Sequence, residues 1–195
     1  MSGTAFYGST KQLGCVVADL DQNGLPDIYV ANDGVPNFCF MQGGDQEFVN
    51  EAYARGVAVD AHGRSQGSMG IAIGDADRNG WLDLFLTHFY SETNTFYQAT
   101  SQGNYRDATR SANLATDSQL LLGFGTAFID PDNNGWLDLF VSNGHIDDMR
   151  WRLDTLPYRM PPLMFQNTQD GRFENISSAC GDYFQQEWLG RGVAT

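Results

Sequence analysis

The sequence predicts an all-β chain of four-stranded antiparallel blades, each about 55 residues long, of the kind that build a β-propeller. Three observations carry this. An acidic nine-residue segment occurs three times, at nearly equal spacing, and apolar strand-like runs flank every copy. Glycine is abundant, at 22 of 195 residues, and no helical periodicity is sustained anywhere.

The three segments are Asp19-Leu20-Asp21-Gln22-Asn23-Gly24-Leu25-Pro26-Asp27, Asp75-Ala76-Asp77-Arg78-Asn79-Gly80-Trp81-Leu82-Asp83 and Asp130-Pro131-Asp132-Asn133-Asn134-Gly135-Trp136-Leu137-Asp138. A first strand precedes each, with a glycine five residues before the first aspartate, at Gly14, Gly70 and Gly125. A second strand follows each, at Ile28 to Val30, Leu84 to Leu86 and Leu139 to Val141. Third strands read at Phe38 to Met41, Phe96 to Gln98 and Met164 to Asn167, each ended by a glycine turn at Gly43-Gly44, Gly103 or Gly171. Fourth strands begin near Phe48, Tyr105 and Phe173, and at most one helical turn follows, as at Glu51 to Arg55.

The third repeat carries an insertion at 144–162, between its second and third strands, and a long loop at a fixed place in a repeat is a common seat of function. Gly190 to Thr195 matches the first strand of a further repeat, with Gly192 aligned to Gly125. The expectation is therefore one segment over 1–195, about three and a half blades, cut from a larger propeller whose remaining blades, or a second copy, cover its open faces.

Composition bounds the partners. Apolar residues at 42% and aromatics at 13% indicate a globular chain, and a formal charge of −13 disfavours nucleic acid and anionic lipid. Nine of the 24 acidic residues lie in the three loops, so the acidity reads as demand for metal. The longest apolar stretch, Leu120 to Ile129, is about half of what a membrane-spanning helix needs, so no membrane insertion is expected. Met1 to Lys11 lacks the parts of a secretory signal. Cys15, Cys39 and Cys180 form neither a disulfide framework nor a zinc spacing, and Cys15, in an apolar strand pattern, reads as a buried thiol.

The loops read as calcium sites. Ca²⁺ takes six to eight hard oxygen ligands, and a tight loop with acidic or amide side chains at positions 1, 3 and 5 turns them inward around a glycine at position 6. The candidate ligands are Asp19, Asp21, Asn23, the Leu25 carbonyl and Asp27; Asp75, Asp77, Asn79, the Trp81 carbonyl and Asp83; and Asp130, Asp132, Asn134, the Trp136 carbonyl and Asp138. Closure at position 9 between strands separates these loops from the helix-flanked EF-hand. Alone, one such loop also reads as an ordinary Asx or Asn-Gly turn. Three copies preserving every key position favour metal, since a turn needs only one or two of those residues. Mg²⁺ suits an all-protein cage poorly and is the lesser alternative.

With their framing strands, the loops resemble the FG-GAP/VCBS repeats, which in integrin α-subunits build a seven-bladed propeller with Ca²⁺ in such loops. Asn143-Gly144-His145-Ile146, Phe165-Gln166-Asn167 with Asp170-Gly171-Arg172-Phe173-Glu174, and Gly190-Arg191-Gly192-Val193-Ala194 further resemble ASPIC/UnbV-type proteins, where they lie in the later blades. The literal Phe-Gly-Gly-Ala-Pro signature is absent, and Phe124-Gly125-Thr126-Ala127 is its nearest counterpart. The resemblance implies an extracytoplasmic, calcium-stabilised scaffold for adhesion or for a protein or carbohydrate ligand, located outside the cell, at its surface or in the periplasm.

Catalytic candidates are few. His88 aligns with Asn32 and Asn143 and reads as a strand-end polar residue, His62 as solvent-exposed, and His145, beside Asp147 and Asp148, as a loop residue. No nucleophile motif, phosphate loop or histidine-rich metal cluster is present, so the chain reads as non-enzymatic. The alternative is a supporting propeller domain of a carbohydrate-active enzyme or a polysaccharide-binding protein. Trp81 and Trp136 share one loop position, where packing is the default and a sugar-stacking platform the alternative. Asn175-Ile176-Ser177 has the N-glycosylation form.

Overall fold

The computed structural model describes residues 11–44, 47–151 and 156–195. Residues 1–10, on which the expectation about the N-terminus rests, and residues 152–155 of the 144–162 insertion fall outside these residues.

Among the described residues, twelve strands form three separate four-stranded antiparallel sheets, each ordered as the chain runs. The first holds β1 (Gln12–Ala18), β2 (Asp27–Asn32), β3 (Phe38–Gln42) and β4 (Phe48–Asn50). The second holds β5 (Ile71–Gly74), β6 (Asp83–Leu86), β7 (Thr95–Ser101) and β8 (Asn104–Asp107), and the third holds β9 (Gly123–Ile129), β10 (Asp138–Asn143), β11 (Leu163–Asn167) and β12 (Phe173–Asn175). One helical turn, α1 (Ala52–Arg55), follows β4, and short 3₁₀ turns follow β12. Strands fall where the apolar runs and glycine turns place them, and the sheets are propeller-like blades.

The blades stack face to face. Leu84 and Leu86 of β6, with Tyr97, Ala99 and Tyr105, pack against Tyr29, Cys39, Met41, Val57 and Ala58 of the first blade. Phe85 between them faces the other way, with Phe96 and Ala108, towards Leu139, Val141, Leu163 and Phe165 of the third. Period-two alternation in the middle blade thus serves two cores, which is why β6 is buried at every position. Truncating one of the buried Leu, Met or Phe side chains here to alanine is expected to cost about 2–5 kcal/mol. Tyr29 and Tyr97 are buried, and their hydroxyls donate to the Val57 and Val59 carbonyls at 2.9 and 3.0 Å, fixing the loop between blades one and two.

The start of each later first strand bonds the end of the preceding blade's second strand, in one register. The amides of Ser68, Gly123 and Gly190 donate to the carbonyls of Asn32, His88 and Asn143, at 3.0, 3.1 and 2.9 Å. Each donor lies two residues before a repeat glycine, at 70, 125 or 192. Gly190 to Thr195 therefore continue the repeat in register, and the Arg191 carbonyl accepts from Gly125 at 2.6 Å. Among the described residues these form no strand, three sheets are formed, and no closed ring is present.

The reading of one residue changes. Cys15 is exposed, because β1 presents one face to a neighbour and the other, with Leu13 and Val17, to solvent. The sequon at Asn175 has a structural role: its Oδ1 accepts the Ser177 amide and hydroxyl, as Asn50 Oδ1 accepts the Cys39 and Ala52 amides at the matching corner of blade one. The 144–162 insertion is closed at its base by a Gly144–Arg159 bridge, a bond from the His145 amide to the Tyr158 carbonyl, and Arg191, which donates to the Gly144 and His145 carbonyls.

Candidate metal centres

Each acidic loop joins the first and second strands of its blade, and the three share one hydrogen-bonded geometry. The position-1 carboxylate accepts two amides. Asp19 takes those of Asn23 and Gly24 at 3.0 and 2.9 Å, Asp75 those of Asn79 and Gly80, and Asp130 those of Asn134 and Gly135. The position-3 aspartates 21, 77 and 132 each accept the Asn amide as well, and the Asn oxygen accepts the position-7 amide at 2.8, 2.8 and 2.7 Å. These donors aim the carboxylates inward.

The backbone reverses twice. Glycine at position 6 adopts φ of 86°, 90° and 84°, the left-handed conformation expected of it. Position 4 is also left-handed, at Gln22, Arg78 and Asn133 with φ of 57°, 59° and 55°. Only Asn133 carries a side chain that signals this. The position-4 side chains also bridge loops: Gln22 donates to the Gly80 carbonyl, and the Arg78 guanidinium lies 5.3 Å from the centroid of the Trp136 ring.

The ninth position differs in kind from the others. Asp27, Asp83 and Asp138 are buried, and their Oδ1 atoms accept the amides of Gln42, Ala99 and Asn167, all at 2.8 Å, which binds each loop to the third strand of its own blade. In the first two loops Oδ2 accepts the position-2 amide as well, from Leu20 at 2.9 Å and Ala76 at 3.0 Å. Pro131 occupies that position in the third loop and has no amide to give.

The loops also differ in how closely their carboxylates sit. Ligand oxygens of Asp19, Asp21 and Asp27 lie within 4.8 Å of one another, as do those of Asp75, Asp77 and Asp83. The trio of Asp130, Asp132 and Asp138 is not drawn that close. Two loops thus bring their three carboxylates together, and the third holds the same residues in a looser set.

Converged, the charges are costly. Burial pushes the Asp83 carboxyl up to about 7, with Asp77 and Asp75 adding to the rise against the pull of the Ala99 and Ala76 amides. Burial likewise raises Asp27 and Asp138 above the usual carboxylate range, against their backbone bonds and with their loop neighbours adding to the rise. The donor set is all hard oxygen, with three carboxylates and an amide oxygen per loop; it fits Ca²⁺, whose charge would favour the ionised forms.

The other candidates are held by packing. His88 is fully buried, with Nε2 at 3.0 Å from Thr95 Oγ1. His145 is 6% exposed, its ring edge-on to Phe89 and Tyr90 and its Nδ1 engaged by the backbone of Asp147. Trp81 packs on the core shared by blades one and two, and Arg78 lies over the Trp136 ring.

Residues 19–86 match the FG-GAP-like repeat family, a span that contains the two loops whose carboxylates converge. Among curated proteins the chain is similar to cartilage acidic protein 1 of Xenopus tropicalis, 29% identical over 134 residues, covering 67% of this chain and 19% of that protein. The Mus musculus protein of that name is 28% identical over 136 residues, covering 69% and 20%. The chain thus spans about a fifth of the length of these relatives. Among solved structures, one described as the recognition of non-reducing terminal N-acetylglucosamine by an Agrocybe aegerita lectin covers 85% of this chain and 38% of its own, at 17% identity and a TM-score of 0.48. The match over residues 19–86 agrees with the FG-GAP resemblance read from the loops.

Proposed function

We propose that this FG-GAP-type chain is a calcium-binding, propeller-like repeat module that serves as a non-enzymatic scaffold for adhesion or for a protein or carbohydrate ligand outside the cytoplasm. The observation that carries the reading is the convergence of three carboxylates, one of them buried, within 4.8 Å at each of two strand-joining loops. Asx turns alone need no such convergence, and each buried carboxylate would be expensive without a cation.

Calcium has a structural task in this account. It offsets the clustered charge and holds the ends of the inner strands, and binding to the folded state alone stabilises that state by mass action. Loops of this size saturate readily only where calcium is plentiful, which supports an extracellular, surface or periplasmic setting. The relatives are named for cartilage and for acidity, and the acidity is shared, at −13. Leu13 and Val17 of β1 are more than half exposed, a surface suited to a further blade or a second copy. Calorimetric titration of the calcium-stripped chain with CaCl₂ tests the metal reading, with Asp21→Asn/Asp77→Asn/Asp132→Asn as control. Binding by the wild type that the control loses supports it, and an absence of heat in both refutes it.

A further inference from the structure

Loops one and two have the same ligand types at the same positions, yet beside loop one stands an Arg55–Glu51 pair where the second repeat has Ala112 and Ala108. Arg55, the last residue of α1, is only 13% exposed at its side chain and points at loop one. Its Nη2 lies 3.4 Å from Asp21 Oδ2, its Nε donates to Glu51 at 2.9 Å, and its Nη1 donates to the Gln102 carbonyl of the second blade at 2.7 Å. Gly103, with φ of 70°, closes the β7–β8 turn directly over the pair; a Cβ there would lie 3.1 Å from that of Asp21 and collide with the guanidinium.

The repeat shows that this is particular to blade one. The Arg55 amide bonds the Glu51 carbonyl as the Ala112 amide bonds that of Ala108, so Ala112 holds the matching place after β8. In loop two the equivalent carboxylate oxygen, Asp77 Oδ2, accepts instead from the neutral amides of Asn79 and Gln98, the latter backed by Arg106. Arg78, though inside loop two, lies over Trp136 and makes no ion pair with a loop carboxylate among the described residues.

We infer that Arg55 is a tethered counter-cation for loop one, which holds Asp21 in the absence of metal and makes this the weaker of the two converged calcium sites, so that loop two loads first. The physics is direct. Calcium affinity of an oxygen loop rises with its uncompensated ligand charge, and a guanidinium within 4 Å of one ligand both neutralises that charge and repels the ion. Because the pair is largely shielded from solvent, salt screens it less than an exposed one. The chain therefore answers calcium in two stages: loop two orders at low concentration, and loop one, with its link to the second blade through Gln102, responds at higher concentration.

The inference rests on the calcium reading above, and its test separates the two. The full chain, stripped of metal, is titrated with CaCl₂ by calorimetry as wild type, Arg55→Gln, Arg55→Lys, Asp77→Asn and Asp21→Asn. The classes are assigned by which of them Asp77→Asn and Asp21→Asn each abolish. The wild type is expected to show a tight class lost in Asp77→Asn and a weaker one lost in Asp21→Asn. Arg55→Gln, which keeps polarity and removes charge, should tighten the weaker class on the order of tenfold, while Arg55→Lys leaves it near the wild-type value. Calcium binding with the weaker class unmoved by Arg55→Gln, or tightened equally by Arg55→Lys, overturns the inference alone. An absence of calcium binding in the wild type overturns it together with the calcium reading. Melting of each variant in EDTA confirms that it is folded.

Discussion

Gly70 lies directly against Phe124: a Cβ on Gly70 would overlap the Phe124 carbonyl oxygen, and Gly14 meets Met69 in the same way one blade earlier. The repeat glycine is thus the point where adjacent first strands touch, and no side chain fits. Gly70→Ala is expected to destabilise the chain by about 1–3 kcal/mol in urea unfolding, as overpacking does. Gly192→Ala, where a Cβ meets nothing within 4 Å, should stay within about 0.5 kcal/mol.

The ninth-position aspartates should matter even without metal. Asp83 accepts amides from both Ala99 and Ala76, whereas Pro131 leaves Asp138 with the Asn167 amide. A buried amide left without its partner costs about 1–3 kcal/mol. In EDTA, Asp83→Ala should therefore cost more than Asp138→Ala by roughly one such amide. Equal costs in urea unfolding would mean that the position-2 amide contributes nothing.

Acid should weaken the fold through His88. Burial holds its imidazole down at about 3, against the Gly67 backbone and Asp60, which pull it up. Between that value and the ordinary 6.5 the unfolded chain takes a proton that the folded chain refuses, so stability is present above 6.5 and is lost as pH falls towards 3. From pH 7 to pH 5 this amounts to about 2 kcal/mol. His88→Asn, which installs the residue found at positions 32 and 143, should remove that part of the pH dependence. Parallel stability-against-pH curves for the two proteins would contradict the assignment.

The strand order and the loops were legible because they repeat: an aspartate pattern and a glycine recurring in step leave few other arrangements. What the sequence withheld depends on neighbours distant along the chain. Arg55 reaches Asp21 across 34 residues and Gln102 across 47, a meeting set by blade stacking that no local pattern announces. The effect of Pro131 was written in the chain, since proline has no amide, but it matters only once that amide is known to hold the ninth aspartate. Cys15 was misjudged because apolar neighbours mark a strand without saying which face is covered. Gly190 to Thr195 kept the register expected of them but form no strand among the described residues.

Thermal unfolding of the chain in EDTA and in about 1 mM Ca²⁺, beside Asp21→Asn/Asp77→Asn/Asp132→Asn, tests the central claim most directly. Position 3 is chosen because the ninth aspartates also bind the loops to their blades, so their loss would lower Tm whether or not metal binds. The account predicts a Tm that rises with Ca²⁺ in the wild type and stays fixed in the triple variant. A wild-type Tm indifferent to Ca²⁺ would contradict it and leave the three loops as hydrogen-bonded turns.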